Sequence, residues 1–308
     1  MTAPSGEQFE IVASDYRAVV TECGAGLRVL EHDGRAVIDG YAEDERAPGG
    51  RGQLLVPWPN RIRDGAYRFD GHDLQLGLTE PARRNAMHGL ARWAAWTAEE
   101  HTATSVSLGY RLMAQTGYPW TLDLHVVYDL SADGLTVTQT ATNLSAQPAP
   151  YASGAHPYLT AGDGPVDRWE VTLPASSRLI ADERKIPVGE EPVDGTAYDF
   201  RMARPVRDTV LDDGFGDLAR SPSGTATAEV RDPATGHGAA LWVDRHHPWL
   251  MVYSADDQPG AASRRSLAVE PMTAPPDAFR SGRDLLTLAP AGEPGDEASV
   301  SWGIRALH

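Results

Sequence analysis

Six side chains able to move protons or hold a polar ligand stand in stretches stiffened by proline, glycine and aromatic residues: Asn60, Arg61, His88, His156, Asp212 and Glu270. His156 lies in Ser153-Gly-Ala-His-Pro-Tyr158, where Pro157 restricts it to extended backbone. Glu270 follows the apolar Leu267-Ala268-Val269 and precedes Pro271, a setting in which burial raises a carboxyl pKa unless donors or a cation compensate. A histidine and a tuned carboxylate are the residue types that general acid–base catalysis uses near neutral pH. Asn60 and Arg61 follow Pro57-Trp58-Pro59, whose stiff, donor-poor backbone lowers the entropy lost on binding. Arg61 presents a planar fork of donors. His88 sits in Asn85-Ala-Met-His-Gly89, and Asp212 in Leu211-Asp-Asp-Gly214. Five of the six also have a plainer reading: a structural hydrogen bond for His156, a structural carboxylate for Glu270, a core histidine for His88, a loop salt bridge for Arg61, a turn cap for Asp212. Residue type and spacing leave both readings open.

Other chemistries lack their residues. The sequence has no phosphate-cradling glycine loop, CxxC pair, HExxH or GxSxG elbow. His246 and His247 are adjacent and would point to opposite faces of a strand, so an exposed turn before Pro248 is expected there and no metal site. The one cysteine, Cys23, excludes an intramolecular disulfide; it reads as a small apolar filler and suits a reducing cytoplasm. A formal charge of −16, from 27 basic and 43 acidic residues, lacks the basic face of a nucleic-acid binder. It also disfavours long-range attraction of anions, although a local arginine pocket could hold one. No apolar run is long enough to span a bilayer, and the N-terminus shows no secretory pattern. The expectation is a cytoplasmic protein with no nucleic-acid or membrane partner, acting as a monomer or homodimer.

The elements that must carry these residues are strands. The 30 glycines and 23 prolines favour turns over long helices. Leu122, Leu124, Val126 and Tyr128 alternate with neighbours on the other face, the turn Ser131-Ala-Asp-Gly134 follows, and alternation resumes to Thr142. That is an antiparallel hairpin. Tyr16–Val20 and Leu27–Leu30 read as strands, with a turn at Asp33-Gly34. Residues 104–112, 225–230, 239–243, 250–253 and 299–306 complete the strand pattern, with Val300, Trp302 and Ile304 on one face. Residues 42–51 and 201–220 read as loops. Residues 271–283 read as a loop with at most one helical turn. No helical periodicity lasts beyond about two turns. The prediction is one all-β domain over 1–308, a large antiparallel β-sandwich.

The chain resembles the aldose 1-epimerases, also called galactose mutarotases, through most of its length. The likeness rests on P-W-P-N-R-I-x-D-G-x-Y at 57–67, N-A-x-H-G-L at 85–90 and G-x-H-P-Y at 154–158. L-D-D-G-F at 211–215 and V-E-P-M-T-x-P-P-D-A-F at 269–279 complete it, all in the family's order. The last motif is most similar to a bacterial branch. The resemblance implies the family's large sandwich and a sugar substrate whose α and β anomers interconvert. It implies His156 as the general acid at ring oxygen O5 and Glu270 as the general base at the C1 hydroxyl. Asn60, Arg61, His88 and Asp212 would hold sugar oxygens. Two proton transfers suffice, so no metal or other cofactor is implied.

Two points depart or slip. Many relatives carry Gln where Met251 stands, and a thioether donates no hydrogen bond, so the preferred sugar can differ from galactose or glucose. Asp213 adjoins Asp212 and could replace it. Three competing readings follow. A mutarotase for a C6-modified or anionic sugar would use Arg83, Arg84, Arg264 or Arg265. A sugar-binding or sensing protein would have lost catalysis. A glycoside hydrolase would need two carboxylates across the bond, for which Asp212 and Glu270 are the candidates.

Overall fold

The computed structural model describes residues 2–308. Every paired strand is antiparallel, and three sheets make up most of the molecule. Nine strands form the largest, in the order Arg204–Pro205, Glu170–Thr172, Ala226–Arg231, Gly238–Val243, Glu297–Leu307, Gly134–Asn143, Leu122–Ser131, Ser105–Leu112, Thr97–His101. A six-stranded sheet runs Tyr158–Leu159, Leu267–Met272, Trp249–Tyr253, Asp212–Leu218, Ala175–Ala181, Pro187–Pro192. Four N-terminal strands, Gln8–Ala13, Tyr16–Thr21, Leu27–His32 and Arg35–Ala36, form the third. One contiguous set of buried apolar side chains draws on all three, including Ile11, Leu30, Leu124, Val252, Val269 and Trp302. This is the large antiparallel β-sandwich expected from the alternation.

The predicted hairpin pairs Ser131 with Gly134, and along Leu122–Ser131 every second side chain is buried. Val300, Trp302 and Ile304 are buried on one face of the C-terminal strand. Tyr128 donates its hydroxyl to the Ala25 carbonyl at 2.6 Å, so a core aromatic ties two sheets while satisfying its polar end. The single α-helix among the described residues is Ala278–Ser281, and no helix there is long and apolar enough to cross a membrane.

Two expectations fail. Residues 212–218, read as loop, are a strand between Ala175–Ala181 and Trp249–Tyr253. Its glycines hid it: a Cβ at Gly216 would meet the Trp249 ring at 2.6 Å, and one at Gly214 would meet Leu179 at 3.0 Å. The strand needs the very residues that lower strand propensity. His247 is fully buried, with Nδ1 2.8 Å from Asp244 Oδ1, whereas His246 is exposed as expected.

A small pairing, Arg61–Arg63 with Asn85–Met87, sets the two polar clusters side by side. Gly89 follows it at φ +71°, where an added Cβ would lie 2.0 Å from the Val56 carbonyl oxygen. That carbonyl is itself fixed by the Leu90 N–H at 2.8 Å. Gly89→Ala is therefore expected to cost more than the roughly 1–3 kcal/mol of backbone strain alone. Gly71→Ala, at φ +80° but in open space, is expected to show strain only. Urea midpoints measure both, and equal midpoints would contradict the steric account.

Candidate active site

The site is assembled from five stretches of chain, those carrying Asn60-Arg61, His88, His156, Asp212 and Glu270, which border one cavity. Leu267–Met272 lies between Tyr158–Leu159 and Trp249–Tyr253, with Glu270 opposite Met251 and Ala268 opposite Tyr158. His156 stands just before the short strand. Its N–H donates to the Gln53 carbonyl at 3.0 Å, and its carbonyl accepts from Gly52 at 2.9 Å. The Asn60 and His88 positions both adopt left-handed backbone, φ 53° and 62°. There they lock together: the His88 N–H donates to the Asn60 carbonyl at 2.8 Å, and the Asn60 N–H donates to His88 Nδ1 at 3.2 Å. Because Nδ1 accepts, the other ring nitrogen of His88 carries the proton and can donate to a ligand.

A cavity of about 290 Å³ is bordered by Asn60, Arg61, His88, His156, Asp212 and Glu270 together. All six residues singled out in the sequence thus line one space, at the small end of the roughly 300–1,000 Å³ range of small-molecule sites. A larger groove of about 830 Å³, between His32–Gly40 and the C-terminal strand, contains none of them. It brings no histidine into contact with a carboxylate among the described residues.

His156 Nε2 lies 3.3 Å from Glu270 Oε1, with both residues at 5% exposure or less. The remaining polar atoms of the pair, His156 Nδ1 and Glu270 Oε2, are buried without a partner among the described residues. Burial holds the His156 pKa down at about 3, and the Arg51, Arg92 and Arg61 charges add to the effect. Burial pushes Glu270 well up, Asp212 reinforces that, and Arg61 opposes it. Burial therefore disfavours charge on both groups, and a proton shared by the pair is favoured on Glu270. This differs from the protonated His156 and ionised Glu270 that the roles implied by the resemblance call for, because neither group has enough polar contact to carry a charge out of water.

The His156 ring is packed from behind. Tyr158 stacks on it at 4.9 Å with planes 8° apart, and the Arg51 guanidinium lies over the other ring at 4.3 Å. Arg51 is in turn paired with Asp39 at 2.9 Å, and the Tyr158 hydroxyl donates to the Gly49 carbonyl. Gly50 covers the histidine edge, where a Cβ would come within 3.1 Å of Cδ2.

Arg61 is held by both oxygens of Glu80, at 2.9 and 3.0 Å. Burial works against its charge, and Glu80 more than offsets that. This fixes the fork and leaves part of it for a ligand. Asp212 Oδ2 meets Lys185 Nζ at 2.8 Å, and burial pushes its carboxyl up against that pull. Asp213 turns away to Arg178 at 2.8 Å, as the alternation of a strand requires. Of the two aspartates, Asp212 lines the cavity and Asp213 does not. Met251 lines the cavity beside Glu270. Of the arginines proposed for an anion, Arg83 reaches the cavity but is paired with Glu80. Arg84 is paired with Asp64, Arg264 with Asp167 and Asp256, and Arg265 with Asp39; none of the three lines the cavity. Arg51, Lys185 and Arg92 went unnoticed in the sequence because nothing local marks a cation as part of a distant site.

A model of the aldose 1-epimerase family matches residues 7–296. The chain is 36% identical to the uncharacterised protein YihR of Escherichia coli, over 94% of this chain and 91% of that one. It is 28% identical to human galactose mutarotase, over 87% and 84% of the two chains. A GalM/aldose epimerase homologue from C. elegans shares the fold, with a TM-score of 0.86 and 19% identity over 98% and 99% of the chains. With five motifs in order, one cavity gathering their polar side chains and a family match spanning nearly the whole sequence, this chain belongs to the aldose 1-epimerase family.

Proposed function

We propose that the protein is a mutarotase that interconverts the α and β anomers of an aldohexose, with His156 and Glu270 as the acid–base pair. The observation that carries this reading is their 3.3 Å contact inside the cavity, with one polar atom on each left without a partner. O1 and O5 of an aldopyranose hang on the same carbon, so the acid and base that serve them must be neighbours. Glu270 takes the proton from the C1 hydroxyl while His156 gives one to O5; the C1–O5 bond breaks and C1=O1 forms. Rotation about C1–C2 and the reverse transfers close the ring on the other face. One proton enters with the pair and one leaves with it. Sugar hydroxyls beside the pair re-solvate the charged tautomer, which lets the shared proton move to His156 before ring opening. Arg61, Asn60, His88 and Asp212 supply donors and acceptors that hold the other hydroxyls, and Lys185 holds Asp212.

Polarimetry on freshly dissolved α-anomers tests this. The wild type is expected to speed the approach to anomeric equilibrium. His156→Ala and Glu270→Gln are each expected to lose roughly 10²–10⁴-fold in kcat. The double variant is expected to lose little more, since the two act as a unit. Sugar binding without acceleration would move the reading to a sugar-binding protein. Acceleration surviving in both variants would mean that other groups do the chemistry.

The same pair predicts a stability effect. The folded pKa of Glu270 is raised, so the stability available below its unfolded pKa of about 4.3 is lost as pH rises toward the folded value. Glu270→Gln removes that titration. It is expected to melt above the wild type, by a margin that widens from pH 5 to pH 8, while showing the loss in kcat given above. A margin that stays flat or reverses in calorimetry would contradict the burial argument.

A further inference from the structure

Three arginines border the cavity, and two of them, Arg61 and Arg83, share the Glu80 carboxylate. The third, Arg92, is half-buried, and its guanidinium makes no ion pair or hydrogen bond among the described residues. Its neighbour on that side is the ring of Trp93, 5.3 Å away and half exposed at the cavity mouth. In a chain with 43 acidic residues for 27 basic ones, a guanidinium drawn out of water without a carboxylate is a cost that folding does not require. Burial alone pulls on its charge, with nothing opposing.

The backbone beneath it is fixed. The Arg92 carbonyl accepts from Gln53 Nε2 at 2.8 Å, and Gly24 is pressed against the same carbonyl so that a Cβ would lie 2.4 Å from it. Gln53 also holds the His156 N–H through its own carbonyl, so Arg92 and His156 hang on one short segment. His88 joins them, with its ring 5.4 Å from that of His156. Glu270 instead has Met251 opposite it on the neighbouring strand. Arg92 thus belongs to the His88–His156 side of the cavity.

That side corresponds to a particular end of the substrate. If His156 serves O5 and Glu270 serves O1, then moving from O1 past O5 leads to C5 and its C6 substituent. We propose that Arg92 makes this cavity selective for aldoses bearing an oxyanion on C6, which its planar fork holds through charge-assisted hydrogen bonds. This rests on the mutarotase reading above and names its substrate class. Asp257, a cavity carboxylate without a cationic partner, accepts from the Tyr253 hydroxyl, on the strand that carries Met251.

Mutarotation of glucose, glucuronate, glucose 6-phosphate and glucose 6-sulfate by the wild type, Arg92→Gln and Arg92→Lys tests the proposal. At least one anionic sugar is expected to exceed glucose in kcat/KM, and the three arms identify which oxyanion fits. Arg92→Gln is expected to cut that anion-to-glucose ratio about tenfold to a hundredfold, mainly through KM, and Arg92→Lys to keep part of it. Taking the ratio within one variant cancels any loss of folded protein. Glucose turned over at least as well as all three anions, or a preference that survives Arg92→Gln, would overturn the proposal and leave the mutarotase reading in place. No acceleration of any of the four sugars by the wild type would overturn both.

Discussion

A histidine and a glutamate in contact at the wall of one cavity, both nearly withdrawn from water, set the terms for this molecule. Neither can be charged alone at that depth, and together they can hold a single proton and pass it across 3.3 Å. The architecture around them serves that condition. Tyr158 and Arg51 exclude solvent from behind His156, and Gly50 closes one edge. The strand that carries Glu270 is held on both sides, with Met251 opposite Glu270 and Tyr158 opposite Ala268. Loosening any of these would admit water, return both groups toward ordinary titration and remove the shared proton.

The cost of such a pair falls on stability. The unpartnered Nδ1 and Oε2 atoms are the kind of buried polar defect that a fold otherwise avoids. Around the cavity most other charges are matched, Arg61 against Glu80, Lys185 against Asp212 and Arg51 against Asp39, while Arg92 and Asp257 stand without an ionic partner among the described residues. Those pairs keep long side chains still, so that in the proposed function a sugar would meet a rigid set of donors and acceptors rather than ordering them on arrival.

Much of this was legible from residue order alone. The Leu122–Tyr128 alternation and its turn named the central hairpin, because a half-buried strand leaves a period of two. The stiff stretches around Trp58 and Pro157 drew attention to Asn60, Arg61 and His156, and all line the cavity. Other features had no local mark. The Asp212–Leu218 strand was masked by Gly214 and Gly216, whose presence answers to Leu179 and Trp249 elsewhere in the chain. Its being a strand is also what separates Asp212, facing the cavity, from Asp213, facing Arg178. Arg92 could not be read at all, since what distinguishes it is a missing partner, and that exists only in three dimensions.

The most direct test of the account is the crystal structure of Glu270→Gln bound to the aldose that the wild type turns over fastest. The account predicts the pyranose seated with ring oxygen O5 within hydrogen-bond distance of His156 Nε2 and the C1 hydroxyl against the side chain at 270. A sugar bound with its anomeric carbon turned away from these two residues would contradict it.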